Sequence, residues 1–156
     1  IKSLVNNSEN INFNLISNNF MKDDFNKNVN LFNGSWVENK ISDEEIKNFY
    51  HNADLTIIPL IDTLQPSGQS VALQSIACGT PVLITKTSGF WDPTKFKNKS
   101  NIIFFEKNDT NLWLKEIKTI YRDRQLMSTL VENGLETINS NYSLNDFYKN
   151  LKIHLK

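Results

Sequence analysis

The run Asp54-Leu55-Thr56-Ile57-Ile58-Pro59-Leu60 constrains the fold more than any other stretch of the chain. Its apolar residues do not alternate with polar ones, as they would in a strand with one wet face. A short unbroken run bounded by polar residues suits a central parallel strand, buried on both faces. Parallel neighbours need a crossover, usually a helix. One is predicted from Ser70 to Cys78, stopped by Gly79 with Pro81 just beyond, and Val82-Leu83-Ile84-Thr85 then reads as the next strand.

The rest of the chain repeats this alternation. Lys2 to Asn7 reads as the end of a helix, Ile11 to Ile16 as a strand, Phe20 to Phe25 as a short helix, and Val29-Asn30-Leu31-Phe32 as a second strand closed by Asn33-Gly34. Ser42-Asp43-Glu44-Glu45 is a capping-box pattern, and the helix it starts puts Ile46, Phe49, Tyr50 and Ala53 on one face. Ile102-Ile103-Phe104-Phe105 is a further strand. Asn108-Asp109-Thr110 caps a long helix with Leu114, Ile117 and Tyr121 on one side. Another helix runs through Leu126 to Ile138, weakened by Gly134. The last begins at Ser143 and is expected to bury Leu144, Phe147, Tyr148, Leu151 and Leu155.

About five strands linked by helices at short connections predict an α/β fold, a doubly wound parallel sheet, in one domain over residues 1–156. Ligands of such sheets bind beyond the carboxyl ends of the strands. That places Asp62 to Gln69, Thr85 to Asp92 and Asn33 to Val37 on one rim.

Composition narrows the function classes. Seventeen basic and seventeen acidic side chains cancel, so no overall field draws the chain to nucleic acid, which is not expected as a partner. One cysteine, Cys78, cannot form an internal disulfide, in keeping with a reducing, cytoplasmic compartment, and it reads as a buried small side chain. His51 and His154 stand far apart with no ligand cluster, so no metal is expected. No stretch is apolar enough to span a bilayer.

The chemistry concentrates in Pro66-Ser67-Gly68-Gln69-Ser70. There a loop from a buried strand enters a helix whose first amides lack intrahelical partners. Gly68 lets the backbone approach a ligand, the helix dipole adds positive charge, and Ser67 and Ser70 offer hydroxyls, as a phosphate site requires. Equally, Ser67 caps the helix and Gly68 eases a turn.

Around this loop stands a wider pattern. Ala53-Asp54 precedes the strand, and Ala77-Cys78-Gly79-Thr80-Pro81-Val82 closes the helix, with Ser88-Gly89 downstream. It resembles the C-terminal donor-binding domain of the GT-B glycosyltransferases of family 4, the glycosyltransferases group 1 pattern. The resemblance covers nearly the whole chain, but only Ala53 to Asp92 is rich in motifs. It implies a Rossmann-like half of a GT-B fold and a hexosyltransferase-type enzyme. The donor would be a nucleotide diphosphate sugar, transferred with retention and without metal or cofactor to a glycan, lipid or protein.

The resemblance also implies site residues. The backbone of Ser67, Gly68, Gln69 and Ser70 would receive the diphosphate. The family's two glutamates, which contact donor sugar and ribose, fall on Pro66 and Gln74, and both depart from the pattern. Gln74 retains an amide oxygen for the ribose, or it is a helix surface residue. Gln65, Ser67 or Gln69 would have to hold the sugar. Gly34, Trp36 and Val37 match the nucleobase loop, where Trp36 stacks on the base or packs inside. Gly89 and Trp91 lie in the downstream rim loop, and Asp92 reads equally as a helix cap.

The family's arginine and lysine, which meet the departing diphosphate, have no counterpart, and Lys86 near the rim is not at a matching position. The chain is therefore expected to be a donor domain truncated at its N-terminal end. It would lack a partner N-terminal Rossmann-like domain and be inactive alone, with a peripheral membrane position open for the full-length protein. The alternative is a degenerate, non-catalytic module for binding or assembly. A signalling receiver is disfavoured, because no acidic cluster follows the first strand.

Overall fold

The structure, a computed structural model, describes residues 1–8, 10–17, 19–25, 29–32 and 41–154. Among them stand five strands: β1 (Phe13–Ile16), β2 (Val29–Phe32), β3 (Thr56–Ile58), β4 (Val82–Thr85) and β5 (Ile103–Phe105). Six α-helices accompany them: α1 (Lys2–Asn6), α2 (Asp43–His51), α3 (Gln69–Ala77), α4 (Thr110–Arg122), α5 (Arg124–Asn141) and α6 (Leu144–His154). The short helix expected over 20–25 is a 3-10 turn at Lys22–Asp24.

Every strand pair is parallel. β1 pairs β2 with Phe13 opposite Val29, and β3-β4-β5 form a three-stranded group with Thr56 opposite Val82 and Leu83 opposite Ile103. β4 is the most deeply buried, with all four residues inside. Its Leu83 joins a core with Trp113, Ile117 and Ile120 of α4, while Val82 and Ile84 join Ala72 and Ile76 of α3 on the other face. Helices thus cover both faces, giving the doubly wound α/β arrangement of a Rossmann-like domain. Each fully buried aliphatic chain on β4 contributes about 2 kcal/mol.

The run from Asp54 to Leu60 is two-sided but not central. β3 ends the three-stranded group, and only Ile58 of it is fully buried. Pro59 has no amide to continue a ladder, so the strand stops one residue before it.

Local signals were obeyed closely. The Glu45 amide donates to Ser42 Oγ at 3.2 Å and the Ser42 amide to Glu45 Oε2 at 2.8 Å, the reciprocal capping box. Asp109 caps α4 by accepting from the Leu112 amide. At the end of α3, Gly79 takes φ 79°, which needs no side chain in the way.

Two expectations about faces fail, on α4 and on α6. On α4 the buried stripe is Trp113, Ile117 and Ile120, and Tyr121 is 56% exposed. On α5 the expected helix runs on through Gly134. A Cβ there would stand 2.9 Å from Ile76 Cγ2, so the glycine lets α5 lie close on α3. On α6, Leu144, Phe147, Tyr148 and Leu151 are exposed, because neither core cluster reaches that helix, and Leu155 lies outside the described residues.

Candidate functional site

The carboxyl ends of β3, β4 and β5 form one rim, and side chains there replace the hydrogen bonds the strands no longer make. Thr85 Oγ1 accepts from the Leu60 amide at 3.0 Å and donates to Asn108 Oδ1 at 2.6 Å. Asn108 Nδ2 donates to the Leu60 carbonyl at 2.6 Å. One residue from each of three strand ends is thereby closed into a ring.

A second tie joins the loop after β3 to the loop after β4. Asp62 accepts from the Ser88 amide at 2.7 Å and from the Ser88 hydroxyl at 3.1 Å. These bonds hold its exposed carboxyl below the usual carboxylate range. The Gly89 amide donates to the Thr63 carbonyl at 2.8 Å. A Cβ on Gly89 would stand 2.3 Å from the Leu64 carbonyl oxygen, so only glycine allows this approach.

Gly68 is the N-cap of α3 at φ 71°, a left-handed conformation that favours glycine. A Cβ there would stand 2.9 Å from Ile58 Cγ2 and 3.3 Å from both Leu60 and Ile84. No side chain caps the helix. Ser67, one reading of which made it the cap, points its hydroxyl instead at the Gln65 carbonyl, 3.4 Å away. The amides opening α3 therefore face the rim uncapped, with the exposed Gln69 and Ser70 beside them.

Other expected residues are distributed differently. Gln65 is exposed in the same loop. Gln74 lies exposed further along α3, and its Oε1 accepts a long 3.5 Å hydrogen bond from the Tyr50 hydroxyl. Burial, with Cys78 nearby, pushes the Tyr50 phenol up. Trp91 is half-buried and packs on Phe90, ring centroids 4.0 Å apart, and on Phe96. It belongs to the core beneath the rim. Gly34, Trp36 and Val37 lie outside the described residues.

Asp92 starts no helix. It accepts from the Thr94 hydroxyl and from the Tyr142 phenol. Lys86 is exposed with its ammonium 5.8 Å from the centre of the Phe104 ring, which orients it towards β5. Among the described residues, no three His, Cys, Asp or Glu side chains stand together as metal ligands, and no helix is long and apolar enough to cross a membrane.

Two of the tying residues were not singled out in the sequence. Asn108 reads there as part of a helix cap, a task that Asp109 performs alone. Thr85 reads as the end of a strand. The available signal was Pro59, whose presence leaves Leu60 in need of partners outside the ladder.

The chain is similar to known proteins in two ways. The family model described as Glycosyl transferases group 1 matches residues 22–137. None of the curated proteins matches the sequence. Among solved structures, the C-terminal domain of a glycosyl transferase group 1 family protein, LpcC, from Francisella tularensis is 18% identical with a TM-score of 0.58, covering 76% of this chain and 55% of that one. Anabaena HepE, solved in complex with UDP and glucose, is 16% identical with a TM-score of 0.63, covering 82% and 32%. Sucrose-phosphate synthase from Thermosynechococcus elongatus is 20% identical with a TM-score of 0.59, covering 81% and 31%. The chain thus spans about half the length of the first and about a third of the other two. These likenesses establish a shared fold, that of GT-B glycosyltransferase C-terminal domains.

Proposed function

The chain belongs to the glycosyl transferases group 1 family, and from that membership we propose that it is the donor-binding domain of a retaining glycosyltransferase. The donor would be a nucleotide diphosphate sugar, the reaction metal-independent transfer of a hexose, and the acceptor a glycan, lipid or protein. One observation carries the assignment of the site: the uncapped start of α3 behind the left-handed Gly68, on the carboxyl rim of a parallel sheet. Amides of Gln69 and Ser70, with the Ser67 and Ser70 hydroxyls, would meet the diphosphate and stabilise its charge as the sugar leaves. Gln74 would contact the ribose, Gln65 the sugar, and the Gly34, Trp36 and Val37 loop the base. Gly89 and Trp91 would shape the rim from below. The bound UDP and glucose of the similarly folded HepE support this ligand class.

We place the chain as one domain of a longer cytoplasmic enzyme, peripheral at a membrane if its acceptor is a lipid. A second Rossmann-like domain would bring the acceptor, and the exposed Leu144, Phe147 and Tyr148 face of α6 offers it an apolar surface. A second reading, a non-catalytic binding or assembly module, is favoured by Pro66 and Gln74 standing where carboxylates are expected.

Calorimetric titration of the full-length protein with UDP, GDP and ADP tests the proposal. We expect one nucleotide to bind, and release of that nucleotide from the matching sugar donor when acceptor is supplied. Binding without turnover would select the second reading. No binding of any of the three would remove the donor-site assignment altogether.

A further inference from the structure

Pro59 ends the β3 ladder, yet the next residue is held as firmly as a strand residue. Leu60 is half-buried, so its amide and carbonyl each need a partner. The ring described above supplies both, and its directions are fixed. Thr85 has one hydroxyl proton, which goes to Asn108 Oδ1 at 2.6 Å, leaving its oxygen to accept from Leu60 at 3.0 Å. Asn108 must then present its NH2 to the Leu60 carbonyl, also 2.6 Å away. Turning the amide over would set oxygen against oxygen.

Leu60 in turn stands against Gly68. Its Cδ1 lies 3.3 Å from the point a Gly68 Cβ would occupy, so its side chain walls the backbone that opens α3. The Gly68 carbonyl accepts the Ala72 amide at 2.9 Å, the bond that starts the helix. A continuous line of contacts therefore runs from the loop after β5, through Leu60, to the first turn of α3.

We infer that Asn108 is a positioning residue for the diphosphate subsite, fixing through Leu60 where Gly68 and the first amides of α3 stand. This rests on the reading of that helix start as the donor site. Asn108 is not itself assigned a contact with the nucleotide.

The test uses Asn108→Ala and Thr85→Val in the full-length protein, with retained near-ultraviolet circular dichroism as the check on folding. Without ligand, amide exchange at Ala72, whose N–H the Gly68 carbonyl holds, should accelerate in both variants. With ligand, UDP, GDP and ADP are titrated beside uridine, guanosine and adenosine. Affinity for the diphosphate that the wild type takes should fall about tenfold in either variant, the loss of one net hydrogen bond, with no further fall in the double variant. Affinity for the corresponding nucleoside, which lacks phosphates, should stay unchanged. Equal losses for nucleoside and diphosphate, or unchanged exchange at Ala72, would overturn the positioning role. Faster exchange together with a wild type that binds none of the diphosphates would instead overturn the donor reading on which it rests.

Discussion

The Tyr142 phenol donates a 2.8 Å hydrogen bond to Asp92 Oδ2, tying the end of α5 to the loop that follows β4. The two groups shift each other. Burial pushes the phenol well up, and the Asp92 charge adds to that. Burial also pushes the Asp92 carboxyl up, but hydrogen bonds from Tyr142, Thr94 and the Lys95 backbone outweigh it and hold Asp92 below the usual carboxylate range.

Removing the phenol tests this tie. Tyr142→Phe should destabilise the chain by about 1 kcal/mol, read as a lower urea midpoint with unchanged slope. Because the folded carboxyl titrates below its unfolded value, its contribution is complete above that value and is lost as pH falls through the folded one. The gap between wild type and variant should therefore narrow on going from about pH 6 to about pH 3. A constant gap would show that the phenol acts by packing alone.

Gly68→Ala combines a left-handed backbone with a Cβ 2.9 Å from Ile58 Cγ2. We expect a loss of about 2 kcal/mol in urea unfolding and a weaker affinity for the nucleoside diphosphate. Gly79→Ala is the control, since the same left-handed φ there meets no neighbour within 4 Å. It should cost about 1 kcal/mol and leave nucleotide affinity alone.

Gly134→Ala sets two effects against each other. Alanine favours a helix interior by about 1 kcal/mol. Its methyl would meet Ile76 Cγ2, a buried branch with no room to retreat, at a cost of about 1–3 kcal/mol. The single variant should be the less stable protein. Ile76→Leu removes the β-branch, so Gly134→Ala should become neutral or stabilising in that background. Additive effects in the double-mutant cycle would rule out the contact as the reason for the glycine.

The two rim loops should separate when either half of their tie is removed. In Asp62→Asn the side chain can no longer accept from both the Ser88 amide and hydroxyl, and hydrogen exchange at Ser88 should speed up. In the wild type the same amide should lose protection as pH falls below the ordinary carboxylate range, since the Asp62 carboxyl is held low when folded. Gly89→Ala, blocked by the Leu64 carbonyl, should expose the whole 61–67 segment to limited proteolysis.

What the sequence revealed were features settled within a few residues. Ser42 with Glu45, Asp109 and Gly79 are each legible locally, and the structure shows all of them, whereas the full burial expected of the Asp54 to Leu60 run falls on β4 instead. Faces chosen by a third element are not so legible. Leu114 and Tyr121 share a helical spacing with Ile117, as Trp113 and Ile120 do, and only the position of the sheet decides which set is buried. The α6 stripe has the same spacing, yet neither core meets it. At the rim, Gly68 announces itself, whereas the work of Thr85 and Asn108 depends on partners 25 and 48 positions away.

Leu60 and Gly68 are each anchored, and they touch, so the segment between them is a closed loop whose ends do not depend on its contents. Closing a longer loop across fixed ends adds only about 0.6 kcal/mol per doubling of length. Asp62 to Leu64 are clasped to their neighbour, which leaves Gln65 to Ser67 as the part free to vary. Insertions and replacements there would leave the sheet intact, making this short stretch an exchangeable cassette in which ligand preference can diverge while the scaffold stays the same.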